Sequence, residues 1–239
     1  TAPSAILKVA GSEAAHAALT NEANVLNALG VSPVATRVPA VLELRKDGSL
    51  RILRQEYRAR KWCTPSRLDR AVIAFLDDLS NVTPTTTPLE SVLSKVPDHS
   101  NLKAGTEVRH TYAQLLSKLI HVSKNGFEVL THRTHGDMGP WNCAWTNKGL
   151  FVYDWEASRG DGLALSDLFY FSVAPALHIG RSQNPKRLLT RIFRRATEMS
   201  SVERKGLEVP VYLALWLLTR IEEAPLYGSM AACLAEEWR

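Results

Sequence analysis

Apolar positions open the chain with the short period of a strand and then change to the longer period of a helix. Residues 4–10, Ser4-Ala5-Ile6-Leu7-Lys8-Val9-Ala10, read as a strand. Residues 12–29 carry Val25, Leu26 and Leu29 on one stripe, with Ser12 as the cap and Gly30 as the stop. Residues 38–44 and 50–57 are strand-like and flank Lys46-Asp47-Gly48, a hairpin signal. The first 57 residues therefore predict strand, helix, strand, strand, a small sheet with one helix. From Arg67 the helical period returns through Leu68, Val72, Phe75, Leu76 and Leu79. Residues 81–88 are rich in Thr and Pro and read as a loop. A helix over 106–124 turns Tyr112, Leu115, Leu116 and Leu119 inward, and 131–142 reads as a loop. Cys143-Ala144-Trp145 and the apolar residues 150–153 flank Asn147-Lys148-Gly149, a second hairpin signal. Beyond Asp154 the chain reads as mostly helical, broken by Pro175, Pro210 and the polar stretch 180–185.

With 239 residues and 45% apolar composition, the chain can bury a core as one large domain or two small lobes. Cys63, Cys143 and Cys233 are dispersed and odd in number, without zinc spacing, which points to a reduced, cytoplasmic setting. The longest apolar run, 209–218, is too short to span a bilayer, which needs about 20 residues. No signal peptide is visible, and the first residue is Thr. The net charge is +5, with Arg181, Lys186, Arg187, Arg191, Arg194 and Arg195 in one acid-free stretch. By spacing, Arg187, Arg191, Arg194 and Arg195 share a helical face. That face is either solvated or a contact surface for an anionic substrate, lipid head group or partner. The basic run lacks interleaved aromatics, which argues against nucleic acid.

The chemistry is concentrated in His135-Gly136-Asp137, Asn142 and Asp154-Trp155-Glu156. Asp137 sits on a tight loop, Asn142 brings a neutral oxygen, and Asp154 ends an apolar strand. Phosphoryl transfer from ATP needs this inventory: a carboxylate to orient and deprotonate a hydroxyl, and hard oxygen ligands for Mg2+. The segment 135–142, with Asp154-Trp155-Glu156, Gly160-Asp161 and Ser166-Asp167-Leu168, resembles the catalytic signature of the aminoglycoside phosphotransferase and choline kinase family. The resemblance is dense over 131–171, thinner over 5–57, and weak over 58–130 and beyond 180.

The resemblance implies an α+β, two-lobed, protein-kinase-like fold, with residues 1–57 as a nucleotide-binding N-lobe and 58–239 as a mainly helical C-lobe. It also implies roles. Asp137 would be the catalytic base, Asn142 and Asp154 the Mg2+ ligands, and Asp167 a brace for the loop. Lys8 would hold the ATP phosphates with Glu22, fourteen residues on, as its partner. The plain alternative for Lys8 is a lysine that snorkels to the surface, and Glu13 is a rival partner. His135 reads as a backbone-ordering residue; Met138, Pro140 and Trp141 as packing that shapes the loop. Glu156 meets either the metal's water shell or a basic neighbour, and Asp161 reads as a turn residue. The other histidines show no metal spacing. Adenine would lie near residues 55–58.

One departure stands out. No glycine-rich phosphate loop occurs, and only seven residues precede Lys8. Either the N-lobe lacks its beginning, or the phosphate cover is absent, or another segment supplies it. The function expected is an ATP-dependent small-molecule kinase acting on a hydroxyl. Residues 180–239 carry ten Lys and Arg against seven Asp and Glu, which disfavours polycationic aminoglycosides and favours a sugar or another neutral or anionic metabolite. The rivals are an aminoglycoside phosphotransferase, an impaired kinase-fold module that binds nucleotide or a partner, and a glycoside hydrolase using Asp137 with Asp154 or Glu156.

Overall fold

The computed structural model describes residues 5–58, 69–96, 102–178 and 184–238. Strand β1 (Ala5–Ala10) pairs antiparallel with β3 (Leu50–Glu56), which pairs with β2 (Val41–Asp47). Helix α1 (Glu13–Leu29) starts at Ser12, whose side chain accepts a hydrogen bond from the Ala15 amide at 3.3 Å. That satisfies one of the amides left over in the first helical turn. Leu19 and Ala23 of α1 pack on Ala10 and Leu53 of the sheet. Side chains alternate across a strand, so Lys8 shares the α1-facing side of β1 with Ala10. Leu7 and Val9 face the other way and stay 63% and 58% exposed. Strand alternation alone thus aims Lys8 at α1.

Helix α2 (Arg70–Leu79) is capped by Asp69, whose carboxylate accepts from the Ala71 and Val72 amides at 3.0 and 3.1 Å. It buries Val72, Phe75, Leu76 and Leu79. Arg67 and Leu68, included in this helix from the sequence, lie outside the described residues, as do Cys63 and Arg181. The Thr/Pro stretch read as a loop contains a strand, β4 (Thr85–Pro88), followed by the short helix α3 (Leu89–Leu93). Thr is β-branched and suits a strand. Pro88 is tolerated because β4 lies at the sheet edge.

Helix α4 (Thr106–Ser123) buries Tyr112, Leu115 and Leu119, while Leu116 is only partly covered. Strand β5 (Glu128–Thr134) is the centre of a sheet ordered β4-β5-β8. Residues 131–134 therefore belong to a strand, and the loop begins at His135. The hairpin is β6 (Cys143–Thr146) with β7 (Gly149–Val152). Strand β8 (Arg159–Leu163) interrupts the mostly helical remainder, and Asp161 lies in it instead of in a turn. β8 has no apolar alternation to announce it; its pairing with β5 makes it a strand.

Then come α5 (Ser166–His178), α6 (Pro185–Thr197), α7 (Ser200–Arg204), α8 (Val209–Leu218) and α9 (Pro225–Glu237). Pro175 does not break its helix but lies inside α5, and Pro210 occupies the first turn of α8, where its missing N–H costs nothing. α8 is buried on nearly all sides, which explains its unbroken apolar sequence. Among the described residues no helix is long and apolar enough to cross a membrane. On α6 the apolar side, Leu188, Leu189, Ile192 and Ala196, is buried. The arginines opposite it are not equivalent. Arg191 donates to the Ser172 carbonyl at 3.2 Å and Arg195 pairs with Glu198 at 2.5 Å, while Arg187 and Arg194 are exposed.

Candidate active site

The loop after β5 is held from below by one carboxylate. Asp167, in the first turn of α5 and 3% exposed, accepts from the His135 amide at 2.7 Å and the Gly136 amide at 3.0 Å. The loop can approach α5 this way because Gly136 adopts φ +85, and a Cβ there would sit 2.3 Å from the Ala157 carbonyl oxygen. Gly136→Ala should therefore cost at least about 1–3 kcal/mol, the usual penalty for a strained backbone position, before any clash is relieved. A thermal melt matching the wild type would refute this.

His135 is fully buried and ties the loop to the end of β7. Its Nε2 lies 2.7 Å from the Tyr153 carbonyl, and its Nδ1 lies 3.3 Å from the Asp137 amide. A carbonyl can only accept and an amide can only donate, so the proton sits on Nε2. The ring also packs on Trp155, with centroids 4.6 Å apart. Asn142 closes the loop. Its amide nitrogen donates to the Asp137 carbonyl at 2.8 Å and to Asp137 Oδ2 at 3.2 Å, and its own carbonyl accepts from the Tyr153 amide at 2.8 Å. Asp137 and Asn142 are thus in contact, and the main-chain carbonyl of Asn142 ties the pair to the residue before Asp154.

Asp154 has φ 65 and ψ 63. This left-handed conformation is uncommon outside glycine and easiest for Asp and Asn. Its carboxylate meets Lys8, whose Nζ lies 2.5 Å from Asp154 Oδ1 and 2.9 and 2.7 Å from the two Glu22 oxygens. Glu22 is fully buried and also accepts from the Trp155 amide at 3.4 Å. Burial, the largest influence on Lys8, would lower its pKa. The hydrogen bonds and charges of Asp154 and Glu22 together outweigh it and hold the ammonium above its ordinary value. Burial pushes the Glu22 carboxyl up, against the pull of Lys8. Glu13 is exposed and takes no part in this cluster.

Glu22, Asp154 and Glu156 can bring one oxygen each within 4.8 Å of one another. Asn142, whose nitrogen is committed to Asp137, keeps Oδ1 to accept, and the three carboxylates form a hard-oxygen donor set suited to Mg2+. The Lys8 ammonium is the positive charge that answers it in this structure. At the junction expected for adenine, Ile6 packs on Ala144, Phe151 and Tyr153. The Arg58 guanidinium lies over the Phe151 ring at 4.3 Å. Met138 and Pro140 are buried as loop packing, whereas Trp141 is 38% exposed and meets His178 edge-on.

Tyr170 was not singled out by sequence reasoning. Burial and then the neighbouring Asp137 carboxylate push its phenol up in pKa. It follows Asp167 by one helical turn, so the same face of α5 that braces the loop also presents this phenol. Tyr170 and Gly136 line one side of a cavity of about 410 Å³, bounded elsewhere by Lys95, Arg159, Trp216 and Arg220. None of the arginines of α6 lines it.

A small sheet with one helix, joined through an ion pair to a larger, mainly helical part that carries a braced catalytic loop, defines a protein-kinase-like phosphotransferase. Residues 1–204 match the phosphotransferase enzyme family, and the chain belongs to that family. No curated protein matches it. Among solved structures it is similar to aminoglycoside phosphotransferase APH(3'')-Id from Streptomyces rimosus, in complex with ADP and streptomycin, at 15% identity and TM-score 0.54, covering 90% of this chain and 87% of that one. It is also similar to a type VIII aminoglycoside-3'-phosphotransferase, at 19% identity and TM-score 0.50, covering 90% and 83%. A third is APH(2'')-IIa in a streptomycin–ATP ternary complex, at 12% identity and TM-score 0.51, covering 91% and 76%. At these identities the likeness speaks for the fold.

Proposed function

We propose that the protein is an ATP-dependent small-molecule kinase that phosphorylates a hydroxyl, with 1–57 as the nucleotide lobe and 58–239 as the lobe that carries the acceptor. The observation that carries this reading is the convergence of Lys8, Glu22 and Asp154 in one ion cluster, with the Asp137–Asn142 pair stitched to Tyr153 beside it. Two of the similar structures hold ADP or ATP, which supports ATP as the co-substrate.

Asp137 takes the proton of the acceptor hydroxyl as its oxygen forms the new bond to the γ-phosphorus. The bond from that phosphorus to the bridging oxygen breaks, and ADP leaves with the electron pair. Lys8, held by Glu22, meets the phosphates. Asp154 and Asn142 would hold Mg2+, which when bound neutralises charge on the phosphates. The protein's own share is positioning and fixed charge. Aminoglycosides, represented by streptomycin in two of the similar structures, suit this site poorly, because the cavity lining sets Lys95, Arg159 and Arg220 against only Asp161 and Asp167.

Asp154→Ala removes the charged member of the donor set. Magnesium-dependent nucleotide binding should be lost in this variant, while any magnesium-independent binding should change little. Calorimetric titration of ATP with and without Mg2+ checks this. The same magnesium enhancement in variant and wild type would sink the assignment.

A further inference from the structure

We infer that the cavity beside the catalytic loop selects an acceptor carrying an anionic group, a phosphate or carboxylate on a hydroxyl compound, through Lys95 and Arg220. This deepens the kinase reading above and rests on it for the direction in which the acceptor points. The cavity, about 410 Å³, is of a size typical for small-molecule sites. Tyr170 and Gly136, the chain neighbour of Asp137, line it on the side of the catalytic loop. A hydroxyl compound seated there lies beside the loop that carries Asp137, with Lys95 and Arg220 in the same lining.

Two acids and three bases line the cavity, and most of them are already engaged. Asp167 is occupied by the His135 and Gly136 amides. Asp161 pairs with Arg159 at 3.4 Å, and both are largely solvated. What remains is Lys95 and Arg220. Lys95, just past α3, is exposed and has no ion pair among the described residues. Arg220 bonds Glu223 at 3.0 Å, but Glu223 is half-exposed and does not line the cavity. A guanidinium has more donors than one carboxylate oxygen uses. Its position is fixed by stacking, 5.4 Å from the Trp216 ring centroid and 5.6 Å from that of Tyr170. A preorganised cation with spare donors, stacked on Tyr170 and Trp216, suits planar or tetrahedral oxyanions. A polycation would meet uncompensated like charge in the same place.

The test uses the full chain and matched probes: glucose against glucose 6-phosphate, glucose against glucuronate, glycerol against glycerol 3-phosphate, and kanamycin as the polycation. ADP release should show kcat/KM at least about tenfold higher for the anionic member of one or more pairs, as expected for a hydrogen bond to a charged group. The phosphate and carboxylate arms tell the two sources apart. Lys95→Ala and Arg220→Gln should raise KM for that anionic probe about tenfold and narrow the preference, with kcat moved far less. Arg220→Gln risks the packing on Trp216; the exposed Lys95 does not. Neutral members equal or better in every pair, kanamycin turnover, or an anion preference that survives both substitutions would overturn the inference. Calorimetry with the same probes separates the two readings. Anionic probes that bind without any ADP release refute the kinase alone, and no preference for the anionic member of any pair overturns the selection by Lys95 and Arg220.

Discussion

Asp137→Asn should give a folded protein that binds nucleotide normally and turns over about 10²–10⁴ times more slowly, the usual contribution of a positioned general base. The reason lies in which atoms hold the loop. Asn142 donates to the main-chain carbonyl of residue 137 at 2.8 Å, and His135 Nδ1 accepts from its main-chain amide at 3.3 Å. Neither bond uses the side chain. An amide fills the same volume and can still accept from Asn142 through its oxygen, but it cannot take the acceptor's proton. Steady-state ADP release, nucleotide calorimetry and a melt together check this. Turnover within about threefold of wild type would remove Asp137 from the role of base.

The largest stability effect should come from Asp167→Ala. The carboxylate, 3% exposed, is the partner of two loop amides at 2.7 and 3.0 Å. Its removal leaves both amides unpaired beside a new void. Hydrogen bonds to a charged group are worth about 1.5–3 kcal/mol each, so a loss of about 3–5 kcal/mol is expected. In a chain of this size that lowers Tm by about 10 °C. Asp167→Asn keeps one good acceptor and should fall between the two. Turnover should drop in parallel, since the same amides set the direction of Asp137. A Tm within about 2 °C of wild type for Asp167→Ala would show that the brace carries little.

The elements that could be read from the sequence are those whose own residues dictate them. β1 and α1 announce themselves by period, and together they aim Lys8 at Glu22. The helix period of 70–79 and 106–123 is as plain. Elements made by their partners were hidden. β8, Arg-Gly-Asp-Gly-Leu, has no strand pattern and exists because β5 lies beside it. β4 was masked by its proline and by threonines that serve loops and strands equally. The site divides the same way. His135, Asp137, Asn142 and Asp154 are close in sequence and carry a motif, so they were visible. Tyr170 was invisible because nothing in its neighbourhood says that α5 turns it toward Asp137. The cavity's cations come from positions 95, 159 and 220, a spacing no linear pattern reveals. The basic cluster that did show in the sequence lies on α6, where two of its arginines are tied down and none reaches the cavity.

The ion cluster at Lys8 has one more consequence. A single ammonium from β1 serves as internal counter-ion to both Glu22 and Asp154, so each carboxylate already has a cation before anything binds. On the proposed function, a nucleotide arrives with its divalent ion already attached. Lys8 then trades the Asp154 carboxylate for phosphate oxygens, and Asp154 trades the ammonium for the metal. Loading becomes an exchange of ions, in which each charge leaves one partner for another of the same sign. Such an exchange needs no bare charge at any stage in a pocket where a bare charge would be costly.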